Sequence, residues 1–276
     1  MTRVLITGVR AKTGYPLAEQ LAARQGVEVL GGSADPASVS IAGVRPVAFS
    51  WDDPSTWSAA ADGIDALFLI RPDLEQAPEL IEKLLAVTPS GARVTLLSEL
   101  DADSLGAESW AMRAEGVVRR GGHRWTILRP SWFMQVFTDR RYYRDELALD
   151  ARLTFPAAGA EVAWIDTRDI AAVAVRTLLE DGHDGKTYEL SGPAALSLPR
   201  TAELLSVAVG KTVAHQDISI EDAVGGLSGF ERYAFTVTFE RLLRGGFATV
   251  TGSVEEVTGR PARSLETFLA DVGPFA

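Results

Sequence analysis

Short apolar runs separated by stretches of helical spacing dominate the first half of the chain. Val4-Leu5-Ile6, Val27 to Gly31, Val44 to Phe49, Asp65 to Ile70, Arg93 to Leu97 and Trp125 to Leu128 each read as a strand. Their near-continuous hydrophobicity suits strands buried on both faces. Between them, Leu17 and Leu21 mark a helix from about Pro16 to Arg24 that stops at Gly26, and Leu80, Leu84 and Leu85 form the apolar stripe of a crossover helix. Asp53-Pro54 is a cap with proline at the first helical position, and Gly121-Gly122 ends a helix starting near Ala107. Alternating strands and helices with short connections predict a doubly wound parallel sheet.

Beyond Pro130 the pattern is less regular. Trp132, Phe133, Met134, Val136 and Phe137 form a bulky apolar segment, and Tyr142-Tyr143 follows within a charged helix. Glu161 to Ile165 reads as a short strand, and Asp166-Thr167-Arg168-Asp169 as the cap and first turn of a helix burying Ile170, Val173, Ala174 and Leu178. A strand at Lys186 to Leu190, a helix from Ser197-Leu198-Pro199 to about Val209, a strand at Thr212 to Asp217, a long amphipathic helix from Phe230 to Arg244 and a last helix capped by Ser264 follow. The expected fold class is α/β: a Rossmann-type doubly wound parallel sheet with a smaller, intermixed α+β C-terminal region for the substrate. The expected division is 1–150 for nucleotide binding and 151–276 for substrate.

The first candidate chemistry sits between the opening strand and helix. Thr7-Gly8-Val9-Arg10-Ala11-Lys12-Thr13-Gly14 is a glycine-bracketed turn that delivers backbone N–H groups to a helix N-terminus, an arrangement suited to phosphate. Ala11 stands where a Gly-x-x-Gly-x-x-Gly loop would have its middle glycine, so whether its methyl admits a dinucleotide is the main question. Lys12 adds a point charge, and Arg10 is in reach of an adenosine 2'-phosphate. At the end of the second strand, Ser33-Ala34-Asp35 precedes Pro36, and Asp35 reads as a turn residue rather than a ribose ligand.

Composition narrows the field. A net charge of -10 argues against nucleic acid or an anionic membrane as partner. The lack of cysteine excludes thiol chemistry and Cys-based metal sites, and no apolar stretch approaches the length needed to span a bilayer. The expectation is a cytoplasmic monomer or homodimer acting on a small molecule, without a metal. His123, His183 and His215 lie far apart and read as structural. No tyrosine has lysine four positions later, so a Tyr-x-x-x-Lys proton relay is absent.

What remains lies just past the predicted strands. Arg71-Pro72-Asp73 follows the fourth, Ser98-Glu99 the fifth, and Pro130 to Met134 the sixth. Ser98 suits a hydrogen bond to a ribose or carbonyl, and Glu99 suits an acid, base or cation partner, which makes this pair the catalytic candidates. Trp132, Phe133 and Trp164 would offer a flat apolar surface to a ring, with Trp110 and Met112 also expected on the substrate side.

Taken together these stretches resemble the NmrA-like, atypical branch of the short-chain dehydrogenases. The turn, Ala66 to Ile70, Leu96-Leu97-Ser98, Trp125 to Met134, Trp164 to Ala171, Tyr188 to Pro193, and Thr251-Gly252 through Gly259-Arg260-Pro261 carry the likeness. They are most similar to the ergot-alkaloid-reductase-like subgroup, of agroclavine or festuclavine dehydrogenase type. The resemblance implies NAD(P)H binding and reduction of a small molecule in specialised metabolism. By position it assigns Gly8, Arg10, Ala11, Lys12, Thr13 and Gly14 to the cofactor phosphates, Ser33 to the ribose, and Arg71, Ser98 and Pro130 to the nicotinamide side. NADP(H) is expected ahead of NAD(H), with a chain that binds neither as the alternative.

The leading reading is an NAD(P)H-dependent reductase of a polycyclic or aromatic iminium, enone or ketone. Two rivals are a non-redox cyclase or isomerase on a degenerate nucleotide crevice, and a dinucleotide-sensing regulator.

Overall fold

The computed structural model describes residues 1–273; the last three positions of the expected C-terminal region lie outside the described residues. In chain order the first elements are β1 (Thr2–Ile6), α1 (Gly14–Ala22), β2 (Val27–Ser33), β3 (Val44–Ala48), α2 (Trp57–Ala61), β4 (Ala66–Ile70), α3 (Ala77–Val87) and β5 (Arg93–Leu97). Then come α4 (Trp110–Arg120), β6 (Arg124–Pro130), α5 (Arg144–Asp150), β7 (Arg152–Thr154), β8 (Glu161–Val162), α6 (Thr167–Leu179) and β9 (Lys186–Leu190). The remainder is β10 (Leu196–Ser197), α7 (Leu198–Val209), β11 (Ala214–Gln216), α8 (Ile220–Ala223), α9 (Gly229–Leu243), α10 (Ser253–Thr258) and α11 (Leu265–Val272).

The chain divides into two compact units. One comprises 1–129 with 170–188, the other 130–169 with 189–276. Where the sequence suggests a boundary near 150, the units part at the end of β6, and a segment carrying most of α6 returns to the first unit.

The first unit is built on a seven-stranded sheet of order β3-β2-β1-β4-β5-β6-β9. Pairing from β3 through β6 is parallel, with Leu5 opposite both Leu30 and Leu67. Strand order reverses between β1 and β4, which is where doubly wound sheets open a crevice for a ligand. Leu5, Leu30, Leu67, Leu69, Val94, Leu96 and Ile127 are buried in one cluster with Phe49 and Trp57. Trp57 keeps its indole N–H satisfied at 2.6 Å from the Ser50 carbonyl, which lets so large a side chain be buried at 2% exposure.

Several local expectations change. The run at Val44 to Phe49 is not buried on both faces: β3 is the edge strand, and Arg45, Pro46 and Ala48 are exposed. Proline fits there because an edge strand does not need all its N–H groups. Helix α1 starts two residues before Pro16, at Gly14, and α4 starts at Trp110, where Ser109 Oγ accepts from Met112 N. Tyr142 and Tyr143 precede α5 instead of lying within a helix.

In the second unit, β8 pairs antiparallel with β10 and β7 pairs parallel with β11. Asp166 caps α6 as expected, accepting from Arg168 N at 2.8 Å. The core is aromatic: Trp132 lies 5.1 Å from Phe155, 5.6 Å from Phe239 and 5.4 Å from Phe247, ring centre to ring centre. Gly192 approaches the chain so closely that a Cβ there would stand 1.9 Å from the Trp164 carbonyl oxygen. Helix α9 buries Phe239, Arg241 and Leu242 near its C-terminal end, not one continuous apolar face.

Candidate nucleotide-binding site

The turn between β1 and α1 is held by its own backbone and by β4. Ala11 N donates to the Gly8 carbonyl at 3.0 Å, closing a tight turn, and Tyr15 N donates back to the Ala11 carbonyl at 3.0 Å. Thr7 Oγ1 accepts from Ile70 N at 2.9 Å and donates to Ile70 O at 3.2 Å, fastening the turn to the end of β4. Gly14 admits no side chain, because an added Cβ would lie 2.0 Å from Gly8 O. Ala11 is different. It is not among the non-glycine residues with positive φ, so its alanine backbone is unstrained.

Helix α1 has no acidic residue in its first turn, and the residue before it, Thr13, makes no side-chain capping bond. Thr13 Oγ1 is buried without a hydrogen-bond partner. The helix therefore presents the unpartnered Thr13 hydroxyl and the positive end of its dipole, a combination that attracts an oxyanion.

A cavity of about 420 Å³ opens at this turn. Thr7 to Ala11 line it from β1, Gly32 to Ala34 from β2, Phe49 to Asp52 from β3 and Pro72 to Leu74 from β4. Arg10 is exposed on its rim, while Lys12 is half-buried within the turn. The Ser33 hydroxyl is engaged locally, donating to Asp35 O at 3.0 Å and accepting from Asp35 N at 3.2 Å. Asp35 is thus the turn residue expected from Pro36. Trp51, Asp52 and Leu74 escaped the sequence reading; their signal was position, since each lies just past the carboxyl end of a strand, the edge of the sheet on which such folds bind ligands.

At the ends of β4 and β5 two side-chain clusters form within the first unit. Arg71 Nη2 donates to Glu99 Oε2 at 2.6 Å, and its guanidinium lies 3.9 Å from the ring centre of Trp110. Trp110 in turn donates its indole N–H to Leu74 O at 2.7 Å. Trp110, expected to face substrate, is thus the platform under Arg71.

The second cluster centres on Glu115, which is fully buried. Its Oε1 accepts from Ser98 Oγ at 2.7 Å and Arg129 Nε at 2.8 Å; its Oε2 accepts from Arg129 Nη2 at 2.9 Å and lies 3.0 Å from Arg119 Nη2. Burial works against the Arg129 charge, yet hydrogen bonds and charge from Glu115 and Asp103 outweigh it and raise its pKa above the ordinary arginine value. Asp103 moves the other way: burial is the largest single influence and pushes its pKa up, but the hydrogen bond and charge of Arg129, 3.2 Å away, together with backbone hydrogen bonds bring it below the ordinary value. Ser98, a catalytic candidate expected to hydrogen-bond a ribose or carbonyl, spends its proton on Glu115. What it retains for a ligand is lone pairs.

Met112 is placed away from the turn. Its sulfur lies 3.4 Å from Arg129 Nη2, and it lines a separate cavity of about 640 Å³ between α3 and α4, beside the Arg113–Glu79 ion pair. Pro130 is buried at the end of β6. In the second unit Trp132 and Phe133 are half-buried. Trp164, expected to face a ring-shaped ligand, is a core residue: it is 1% exposed and donates its N–H to Thr201 Oγ1 at 3.0 Å. The histidines are tied to structural partners, Thr88 O for His123, the Tyr188 hydroxyl for His183 and Phe155 O for His215. Among the described residues no helix is long and apolar enough to cross a membrane.

No family model matches the chain. Over 279 residues it is 29% identical to a (4-alkanoyl-5-oxo-2,5-dihydrofuran-3-yl)methyl phosphate reductase of Streptomyces griseus, covering 97% of both chains. Festuclavine synthase I of Penicillium roqueforti is 26% identical over 285 residues, with 96% of both chains covered. This relative agrees with the resemblance to the ergot-alkaloid-reductase-like subgroup. An NADPH-dependent quinone oxidoreductase of Escherichia coli, solved with NADPH, superimposes with a TM-score of 0.81 at 21% identity over 98% of this chain and 99% of that one. At that identity the likeness shows the shared Rossmann-like fold.

Proposed function

We propose that this chain, similar along nearly its whole length to atypical short-chain reductases, is an NAD(P)H-dependent reductase of a ring-containing small molecule in specialised metabolism. The observation that carries the reading is the turn at the reversal of strand order. Gly14 packs on Gly8 too tightly for any other residue, and the buried Thr13 hydroxyl is left without a partner at the positive end of the α1 dipole. That donor set fits a dinucleotide phosphate.

Gly8, Ala11, Lys12, Thr13 and Gly14 would hold the pyrophosphate, and the cavity lined by Gly32, Ser33 and Trp51 would take the adenosine. Arg10 on the cavity rim favours NADP(H) over NAD(H), since a guanidinium pairs with a 2'-phosphate. When bound, NAD(P)H supplies a hydride.

The residues at the strand ends suit an acceptor that is already electron-poor. Ser98 donates to Glu115, and Glu99 is paired with Arg71, so neither is a poised acid. Hydride addition to an activated enone or iminium carbon does not require one, and water can protonate the resulting enolate. The Streptomyces relative, named for reduction of an unsaturated oxo-dihydrofuran, supports an enone of this kind. A net charge of -10 supports a small-molecule substrate rather than nucleic acid.

Titration of the purified protein with NADPH and NADH, read by nicotinamide fluorescence, tests the reading. Saturable binding is expected, tighter for NADPH, with Arg10→Ala erasing the preference. No binding of either nucleotide up to millimolar concentration would defeat the proposal.

A further inference from the structure

Arg71, beside the nucleotide turn, is a guanidinium whose geometry asks for another acceptor. Its side chain is 10% exposed, and Nη1 is buried without a hydrogen bond. The other edge is fixed: Nη2 donates to Glu99, and the face of the group lies on Trp110, itself anchored to Leu74 O. A buried donor left unpaired loses the hydrogen bond it would make to water in the unfolded chain. The fold nevertheless clamps this one in place.

Its position says what would satisfy it. Arg71 directly follows Ile70, which is bonded to Thr7 and lies 3.3 Å from where a Cβ on Gly8 would be. The next residues, Pro72 to Leu74, line the cavity at the turn. A permanently charged guanidinium donor pairs with an anionic phosphoryl oxygen more strongly than with a neutral carbonyl.

We propose that Arg71 is a phosphoryl receptor, presenting Nη1 to a phosphate oxygen while Glu99 and Trp110 hold the guanidinium plane. This rests on the reductase reading only for the identity of the ligand. Two sources share the chemistry: the pyrophosphate of the dinucleotide, and a phosphate ester on the substrate, such as the one in the name of the Streptomyces relative.

The experiment uses Arg71→Met and Glu99→Gln in the full chain, with circular dichroism to confirm folding. The probes are NADPH, ADP against adenosine, and a hydroxymethyl furanone against its phosphate ester, each measured by calorimetry. Arg71→Met is expected to weaken the phosphorylated probe of the correct source by about tenfold or more and to leave its unphosphorylated partner unchanged. Glu99→Gln removes the competing carboxylate and is expected to tighten the same probe, a gain that misfolding cannot produce.

Loss confined to NADPH and ADP assigns Arg71 to the dinucleotide; loss confined to the ester assigns it to the substrate. If wild type and both variants bind every phosphorylated probe within twofold of one another, or wild type binds none of them, the inference is overturned. If wild type binds no NADPH yet loses the ester on Arg71→Met, the reductase reading fails and the phosphoryl receptor stands.

Discussion

The turn at Gly8 to Gly14 and the cluster around Glu115 both lie at the sheet's carboxyl edge, and they are built in opposite ways. The turn is made of backbone. Consecutive residues bond to one another, and short backbone and hydroxyl ties, Thr7 to Phe68 and Ile70 and Val9 to Gly32, fix it to the sheet. The cluster is made of side chains from separate elements: Ser98 after β5, Asp103 beyond it, Glu115 and Arg119 on α4, and Arg129 in β6. A backbone site can be read from glycine spacing. The chemistry of a side chain in a network depends on partners far along the chain.

The largest effect is expected in the turn itself. Gly14→Ala places a methyl 2.0 Å from the Gly8 carbonyl oxygen, and neither backbone can yield without undoing the start of α1. It should cost more than about 3 kcal/mol in urea denaturation and remove dinucleotide binding. A variant as stable as wild type would show that the turn is pliant and the comparison wrong.

Glu115→Ala comes next, at about 3–5 kcal/mol, because it strands the buried Arg129 without its carboxylate. Ser98→Ala should cost only about 1 kcal/mol by the same measurement, the worth of one hydrogen bond. Equal losses from the two substitutions would mean that Ser98, not the ion pairs, holds the cluster.

Ala11→Gly sharpens the contrast from the other side. Since Ala11 carries no backbone strain, the change should lower stability by about 0.5–1 kcal/mol and alter NADPH affinity by less than about threefold. A gain of orders of magnitude would show that the methyl obstructs the pyrophosphate and would revive a non-redox reading.

The smallest effect is titration of His183, a structural group far from either construction. Burial, then the nearby Lys186, lowers its pKa from the ordinary value near 6.5. The neutral ring is therefore the favoured native form, and its contribution is present above 6.5 and lost as pH falls through the lower native value. Urea midpoints measured between about pH 7.5 and pH 5 should fall, and His183→Gln should flatten that slope.

Much of the fold was legible in local pattern. The parallel strands, the Asp53 cap before Pro54, the Asp166 cap and the Ser264 cap all stand where the chain implied. The exceptions have physical reasons. Val44 to Phe49 looked doubly buried because hydrophobicity does not reveal which strand ends up at the edge. Trp164 looked available to a ligand because an indole in a core and one in a pocket are the same residue until Thr201 Oγ1 takes its N–H. Trp110 likewise could be seen as a platform only once Arg71 lay over it.

By itself the amino-acid sequence determined the order of strands and helices, the glycine-bracketed turn and the absence of a Tyr–Lys relay, because each depends on residues close together in the chain. Tertiary structure alone decided what the polar groups at the strand ends can do. Ser98 became a hydrogen-bond acceptor through Glu115, Glu99 became the partner of Arg71, and Arg71 was left with Nη1 to offer. The reason is that a hydroxyl or guanidinium has several chemical roles open to it in isolation, and burial beside particular neighbours removes all but the ones those neighbours leave.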